Sequence, residues 1–109
     1  MKRLIALLVA VAAVAAAVAV PAFAATKTVK VGPGVKFGPS RLRIHSGDTV
    51  KFRWTGSLPH NVVITKGPKR GTISKVRKKG TVSKKFFTKG AYTIVCQIHP
   101  GMRLHLRVS

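Results

Sequence analysis

Cys96, His99 and Met102 stand at three-residue intervals in the segment Cys96-Gln97-Ile98-His99-Pro100-Gly101-Met102, which places a thiol, an imidazole and a thioether on one short stretch of chain. A second imidazole lies upstream at His60, within Leu58-Pro59-His60-Asn61-Val62. These are soft and borderline metal ligands. Two ring nitrogens, one thiolate and a weak thioether make the trigonal set that suits copper, and one-electron transfer is the chemistry such a set supports.

The elements that must position these residues can be read on either side of them. Tyr92-Thr93-Ile94-Val95-Cys96 has the β-branched and aromatic content of a strand, and Leu104-His105-Leu106-Arg107-Val108 alternates like another. Cys96, His99 and Met102 therefore fall on a hairpin loop. Pro100 stiffens that loop, and Gly101 tolerates the positive φ of a tight return. A stiff loop suits a site whose geometry must change little between two oxidation states.

At these positions the chain resembles the cupredoxins, the small blue copper proteins, and within them the plastocyanin and amicyanin group. The resemblance runs from Phe37-Gly38-Pro39 through Ser46-Gly47-Asp48-Thr49-Val50-Lys51-Phe52-Arg53-Trp54 to His60-Asn61-Val62, resumes at Gly90-Ala91-Tyr92-Thr93, and ends on Cys96, His99, Pro100, Gly101 and Met102. The two residues between His99 and Met102 are similar to the short amicyanin loop. The resemblance implies one copper ion in a type 1 site, with His60, Cys96 and His99 as equatorial ligands and Met102 as the long axial one. It further implies that Asn61 and Pro100 support the ligands from outside, Asn61 by tying the two ligand loops together and a backbone amide near the Cys96 sulfur by tuning the potential. The edge of His99 would face the surface and pass the electron.

Composition bounds what such a site can belong to. Lys2 and Arg3 precede an unbroken apolar run over residues 4–20, and Ala22-Phe23-Ala24 places small residues where a signal peptidase reads them. Cleavage is expected after Ala24, so that residues 1–24 form a signal peptide and residues 25–109 one small copper-binding domain. The length of the apolar run also admits an uncleaved membrane anchor. On either reading the folded part lies outside the cytoplasm, in the periplasm, at the cell envelope or secreted. Only Lys2-Arg3 precedes the run, so nothing favours a twin-arginine route. Cys96 is the only cysteine and cannot form an internal disulfide. A buried structural thiol is the ordinary reading of such a residue, and the company of His60, His99 and Met102 moves it to metal ligation.

Beyond Ala25 no run repeats apolar residues at helical spacing. The chain reads instead as short strands between turn residues. Residues 28–31 and 42–44 supply early strands, residues 49–54 turn Val50, Phe52 and Trp54 inward and Lys51 and Arg53 outward, and residues 62–65 follow His60. Gly32-Pro33-Gly34, Ser46-Gly47-Asp48, Lys66-Gly67-Pro68, Lys79-Gly80 and Lys89-Gly90 mark turns. The expected fold is all-β, a two-sheet Greek-key sandwich, in which loops from opposite sheets meet at one end and let His60 join the 96–102 loop.

The same alternation sorts the histidines. Leu104, Leu106 and Val108 share one face and put His105 on the other, and His45 lies beyond Arg41 and Arg43 on the polar side, so both are expected in solvent. Only His60 and His99 occupy loop positions that could converge. Met102 beside a turn could simply cap the core, but its spacing from His99 favours the axial role. Trp54, Phe52 and Phe86 are read as core.

Lys and Arg total 21 against a single acid, Asp48, for a formal charge of +20. Taking away Lys2 and Arg3 leaves +18. Much of it lies in residues 66–89, including Lys69-Arg70, Arg77-Lys78-Lys79 and Lys84-Lys85. So large a field accelerates encounter with acidic partners and weakens with salt. The expected protein is a monomeric one-electron carrier that serves redox partners with acidic docking surfaces. An anionic membrane or cell-wall surface is an equally compatible partner. Two other classes compete: a polyanion-binding module in which the Cys/His loop is incidental, and a copper carrier or scavenger. Export, and the lack of aromatics interleaved with the exposed basic positions, count against nucleic acid. An enzyme is disfavoured because catalysis at a mononuclear site needs an open coordination position, and no spare carboxylate or histidine stands near.

Overall fold

The computed structural model describes residues 23–109. The expected signal segment lies outside the described residues apart from Phe23 and Ala24. Among the described residues there are nine strands: β1 (Thr26–Val31), β2 (Phe37–Gly38), β3 (Arg41–Ile44), β4 (Thr49–Trp54), β5 (His60–Lys66), β6 (Gly71–Arg77), β7 (Thr81–Lys85), β8 (Gly90–Val95) and β9 (Arg103–Val108). They form a four-stranded sheet in the order β2-β1-β4-β7 and a five-stranded sheet in the order β3-β9-β8-β5-β6. Both sheets are mixed, because β1 pairs with β4 and β3 with β9 in parallel while the other pairings are antiparallel.

Alternation makes β4 and β9 the clearest of these elements. In β4 the side chains of Val50, Phe52 and Trp54 are buried and those of Lys51 and Arg53 exposed; in β9 Leu104, Leu106 and Val108 are buried and Arg103, His105 and Arg107 exposed. A strand that exposes one face to water and buries the other must alternate in this way. The inward sets of the two sheets meet in one core, with Val29, Val31, Val50 and Phe52 from one side and Val62, Ile94, Leu104 and Leu106 from the other. Each of these residues is at most 2 % exposed, which stabilises the fold by roughly 1.5–3 kcal/mol per large side chain. Phe86 and Tyr92 close the core in an edge-to-face pair with ring centroids 5.4 Å apart.

Two strands, β6 and β7, are marked in the sequence only by the turns that bound them. They are the outer strands on one side of the sandwich, and they carry Lys75, Arg77, Lys84 and Lys85. Cationic side chains on an edge strand discourage another chain from pairing with its free amides, so part of the basic run is accounted for by its place at the sheet edges. The opposite edges are β2, only two residues long, and β3, which carries Arg41 and Arg43.

The pairings also fix two ends of the sandwich. The end of β4, the start of β5, the end of β8 and the start of β9 lie together, because Val63 faces Val95, Val95 faces Arg103, and Trp54 bonds to His60. The opposite end holds the starts of β1 and β4, the turn between β5 and β6, and the loop between β7 and β8.

Candidate metal centre

His60 departs from its expected loop position. It is the first residue of β5, an interior strand flanked by β6 and β8. The five residues His60, Asn61, Val62, Val63 and Ile64 are all buried rather than alternating. Register shifts interrupt the ladder to β6 between His60 and Val62 and again between Val62 and Val63. A bulge re-aims the side chains around it, which is how consecutive residues here escape the strict in-and-out pattern. Just upstream, the Trp54 indole donates to the His60 carbonyl at 3.0 Å, and the Arg77 guanidinium sits 5.5 Å over the Trp54 ring. Trp54, expected to be core alone, therefore also positions the backbone of His60.

The remaining donors come from the loop between β8 and β9. Cys96 follows β8 directly, and its amide donates to the Met102 carbonyl at 3.1 Å, while the Met102 amide donates to the His99 carbonyl at 3.2 Å. Gly101 supplies the left-handed conformation, at φ 87°, that turns the chain between them. Pro100 is exposed at the tip, and the Met102 side chain is buried at 1 % exposure. Asn61 joins the two segments: its Oδ1 accepts from the Gln97 amide at 2.8 Å and its Nδ2 donates to Gln97 Oε1 at 3.1 Å. Sequence reasoning misses Gln97, whose one signal is its place beside Cys96.

These supports bring His60, Cys96 and His99 together, with their donor atoms all within 4.8 Å of one another. His60 Nδ1 lies 3.1 Å from His99 Nδ1, and Cys96 Sγ lies 3.6 Å from that same nitrogen. His60 is fully buried, Cys96 is 3 % exposed and His99 is half-buried. His45 and His105 stay in solvent, away from the cluster.

The chemistry of this donor set tests what it can hold. Burial, and then the charge of the neighbouring His99 imidazole, hold His60 below the usual imidazole range, while the Gly34 backbone acts in the opposite direction. His60 Nε2 makes no sound hydrogen bond, so the Gly34 influence is the weaker one. A neutral ring keeps a lone pair for a metal. Two inward-facing Nδ1 atoms with a sulfur alongside are three electron-rich centres converging on one point, an arrangement that a soft or borderline cation stabilises. Calcium and magnesium demand oxygen ligands, and the chain's one carboxylate, Asp48, lies at the opposite end of the sandwich beside the start of β4. The set of two histidines and one cysteine, with a methionine on the same loop, fits a type 1 copper site.

Comparison with known proteins agrees. Residues 24–109 match the family model described as copper binding proteins, plastocyanin/azurin family. Among solved structures, a methionine-to-glutamine variant of amicyanin in the Cu(I) state is 26% identical, with a TM-score of 0.67 over 77% of this chain and 82% of that one. Oxidized plastocyanin from Dryopteris crassirhizoma is 27% identical, with a TM-score of 0.64 over 75% of this chain and 99% of that one. A copper-containing nitrite reductase from Thermus scotoductus SA-01 is 27% identical, with a TM-score of 0.65, but the match spans only 23% of its length against 83% of this chain.

Proposed function

The chain belongs to the plastocyanin/azurin family of copper binding proteins, and from that premise we propose that it is an exported one-electron carrier whose copper is held by His60, Cys96, His99 and Met102. The observation that carries the reading is the convergence of two imidazole nitrogens and the lone thiol within 4.8 Å. Bound copper supplies a one-electron couple between Cu(II) and Cu(I).

The chain's own residues do the rest. His60 is held neutral and immobile by burial and by the Trp54 bond to its carbonyl. Cys96 and Met102 are locked to each other through the loop backbone, and Asn61 ties that loop to β5. Rigidity of this kind favours electron transfer, because ligands that cannot move add little reorganisation when the oxidation state changes. His99, half-buried at the surface, offers the exit path, and Pro100 limits the loop's freedom around it. The cluster contains no carboxylate, Asp48 is remote, and both imidazoles are committed as ligands, so the donor set leaves no open coordination position and no spare group beside it among the described residues. That supports a carrier over an enzyme. The sequence of residues 1–24 supports export, and the excess of cations supports redox partners with acidic docking surfaces.

Cu(II) added to the purified protein should give intense visible absorption from the Cys96 thiolate, and Cys96→Ser should abolish it. A colourless wild-type complex rejects the reading. Reversible reduction with the metal retained identifies a carrier of electrons, whereas release of copper on reduction identifies a carrier of the metal.

A further inference from the structure

The end of the sandwich remote from His60 and Cys96 has its own character. In the loop between β7 and β8, Phe86 is buried at 3 % exposure while Phe87 beside it is 65 % exposed. The loop is pinned in that orientation: the Gly47 amide donates to the Phe86 carbonyl at 2.7 Å, the Phe86 amide to the Asp48 carbonyl at 3.0 Å, and the Ser46 hydroxyl to the Phe87 carbonyl. Phe87 is thus held out in water by backbone bonds, with the exposed cations Lys69, Arg70, Lys84, Lys85 and Lys89 nearby in the flanking turn, strand and loop, which corrects the expectation that no aromatic is interleaved with the exposed basic positions. A cleft of about 390 Å³ opens here, walled by four of those cations and floored by Ile64, Phe86 and Tyr92. The sole acid of the chain stands at the same end but cannot neutralise them. Asp48 is 3 % exposed, and its two carboxylate oxygens accept the Ala25 amide at 2.8 Å and the His45 amide at 2.9 Å.

We propose that this end, with Phe87 at its centre, docks on an anionic phospholipid bilayer and leaves the metal end facing away from the membrane. Cations alone would suit any polyanion. An exposed aromatic ring gains nothing from a phosphate polymer that carries no bases to stack on it, but it gains from the acyl boundary of a bilayer, where a basic surface with an apolar residue lies down. The course of the chain agrees. Thr26 pairs with Thr49 at this same end, and the Thr49 amide donates to the Ala25 carbonyl at 2.9 Å, so Ala25, the residue that follows the expected cleavage site, lies on the side assigned to the membrane. Such docking would confine the protein to two dimensions and present His99 outward. It is independent of what the donor cluster holds.

The test is binding of the protein that cleavage after Ala24 leaves to phosphatidylcholine vesicles with and without phosphatidylglycerol. Removal of three charges at the Phe87 end (K69Q/R70Q/K89Q) should weaken binding to the anionic vesicles about 100-fold, at about fivefold per cation near the surface. Removal of three at the metal end (K36Q/K78Q/K79Q) should weaken it far less. Phe87→Ala should cost about tenfold as its ring leaves the apolar boundary, and the emission added by Phe87→Trp should be quenched by brominated acyl chains while that added by Val35→Trp, at the metal end, is not. Equal losses from the two triple variants, or emission from Phe87→Trp that bromolipid leaves untouched, would overturn the proposal. So would binding to soluble polyphosphate that exceeds vesicle binding and ignores Phe87→Ala, or binding to a single-stranded oligonucleotide that exceeds vesicle binding and is lost in Phe87→Ala.

Discussion

Asn61→Ala should loosen the metal centre without touching a ligand. The side chain is 8 % exposed and makes two hydrogen bonds to the residue that follows Cys96, accepting from the Gln97 amide at 2.8 Å and donating to Gln97 Oε1 at 3.1 Å. Its removal strands a partly buried amide beside the thiol and cuts the link between β5 and the 96–102 loop. Two such bonds, one of them leaving an orphaned donor, amount to about 1–3 kcal/mol, or roughly 5- to 150-fold in an equilibrium constant. The loss should divide between two measurable quantities. Urea unfolding of the metal-free protein reads the part that destabilises the fold, and copper titration reads the part that the metal must supply by ordering a looser site. Unfolding of the copper-loaded protein must show their sum. A loaded variant as stable as wild type would refute the claim that Asn61 holds the ligand segments together.

On the proposed function, Met102→Leu should keep the visible colour expected from the Cys96 thiolate and shift the reduction potential measured by voltammetry; an unchanged potential would remove Met102 from the site. Trp54→Phe deletes the 3.0 Å bond to the His60 carbonyl and should lower the unfolding free energy by about 0.5–1.5 kcal/mol, seen in urea titrations. The amides of Ala25 and His45 hold the Asp48 carboxylate below its ordinary value of 3.8. Its stabilisation is therefore complete above the unfolded pKa and is lost as pH falls through the lower folded one. Asp48→Asn should flatten that acid limb in a pH series of unfolding midpoints. Cleavage after Ala24 would replace the Ala25 amide by an ammonium and should move the limb to still lower pH.

The strands whose two faces differ are legible in the amino-acid order. Val50, Phe52 and Trp54 in β4, and Leu104, Leu106 and Val108 in β9, declare their orientation because one face meets water and the other does not. The loop carrying Cys96, His99 and Met102 is equally plain, since its candidate ligands are neighbours in sequence. Strands β6 and β7 are obscured because both are edge strands, exposed over most of their length, and their lysines answer to solvent and to the sheet edge rather than to a core.

The residue order by itself determined the kinds of donor present, their spacing along one loop, the all-β pattern and the excess of positive charge, since each is a local property of the chain. Only the tertiary structure decided that His60 begins an interior strand, that bulges in β5 bury five residues in succession, that Asn61 chooses Gln97, that Trp54 grips the His60 carbonyl, and that Phe87 rather than Phe86 stands exposed at the far end. Those facts depend on which strands pair and in what register. Alternation along one strand says which way a side chain points, but what it meets there is set by the strands that fold against it from elsewhere in the chain.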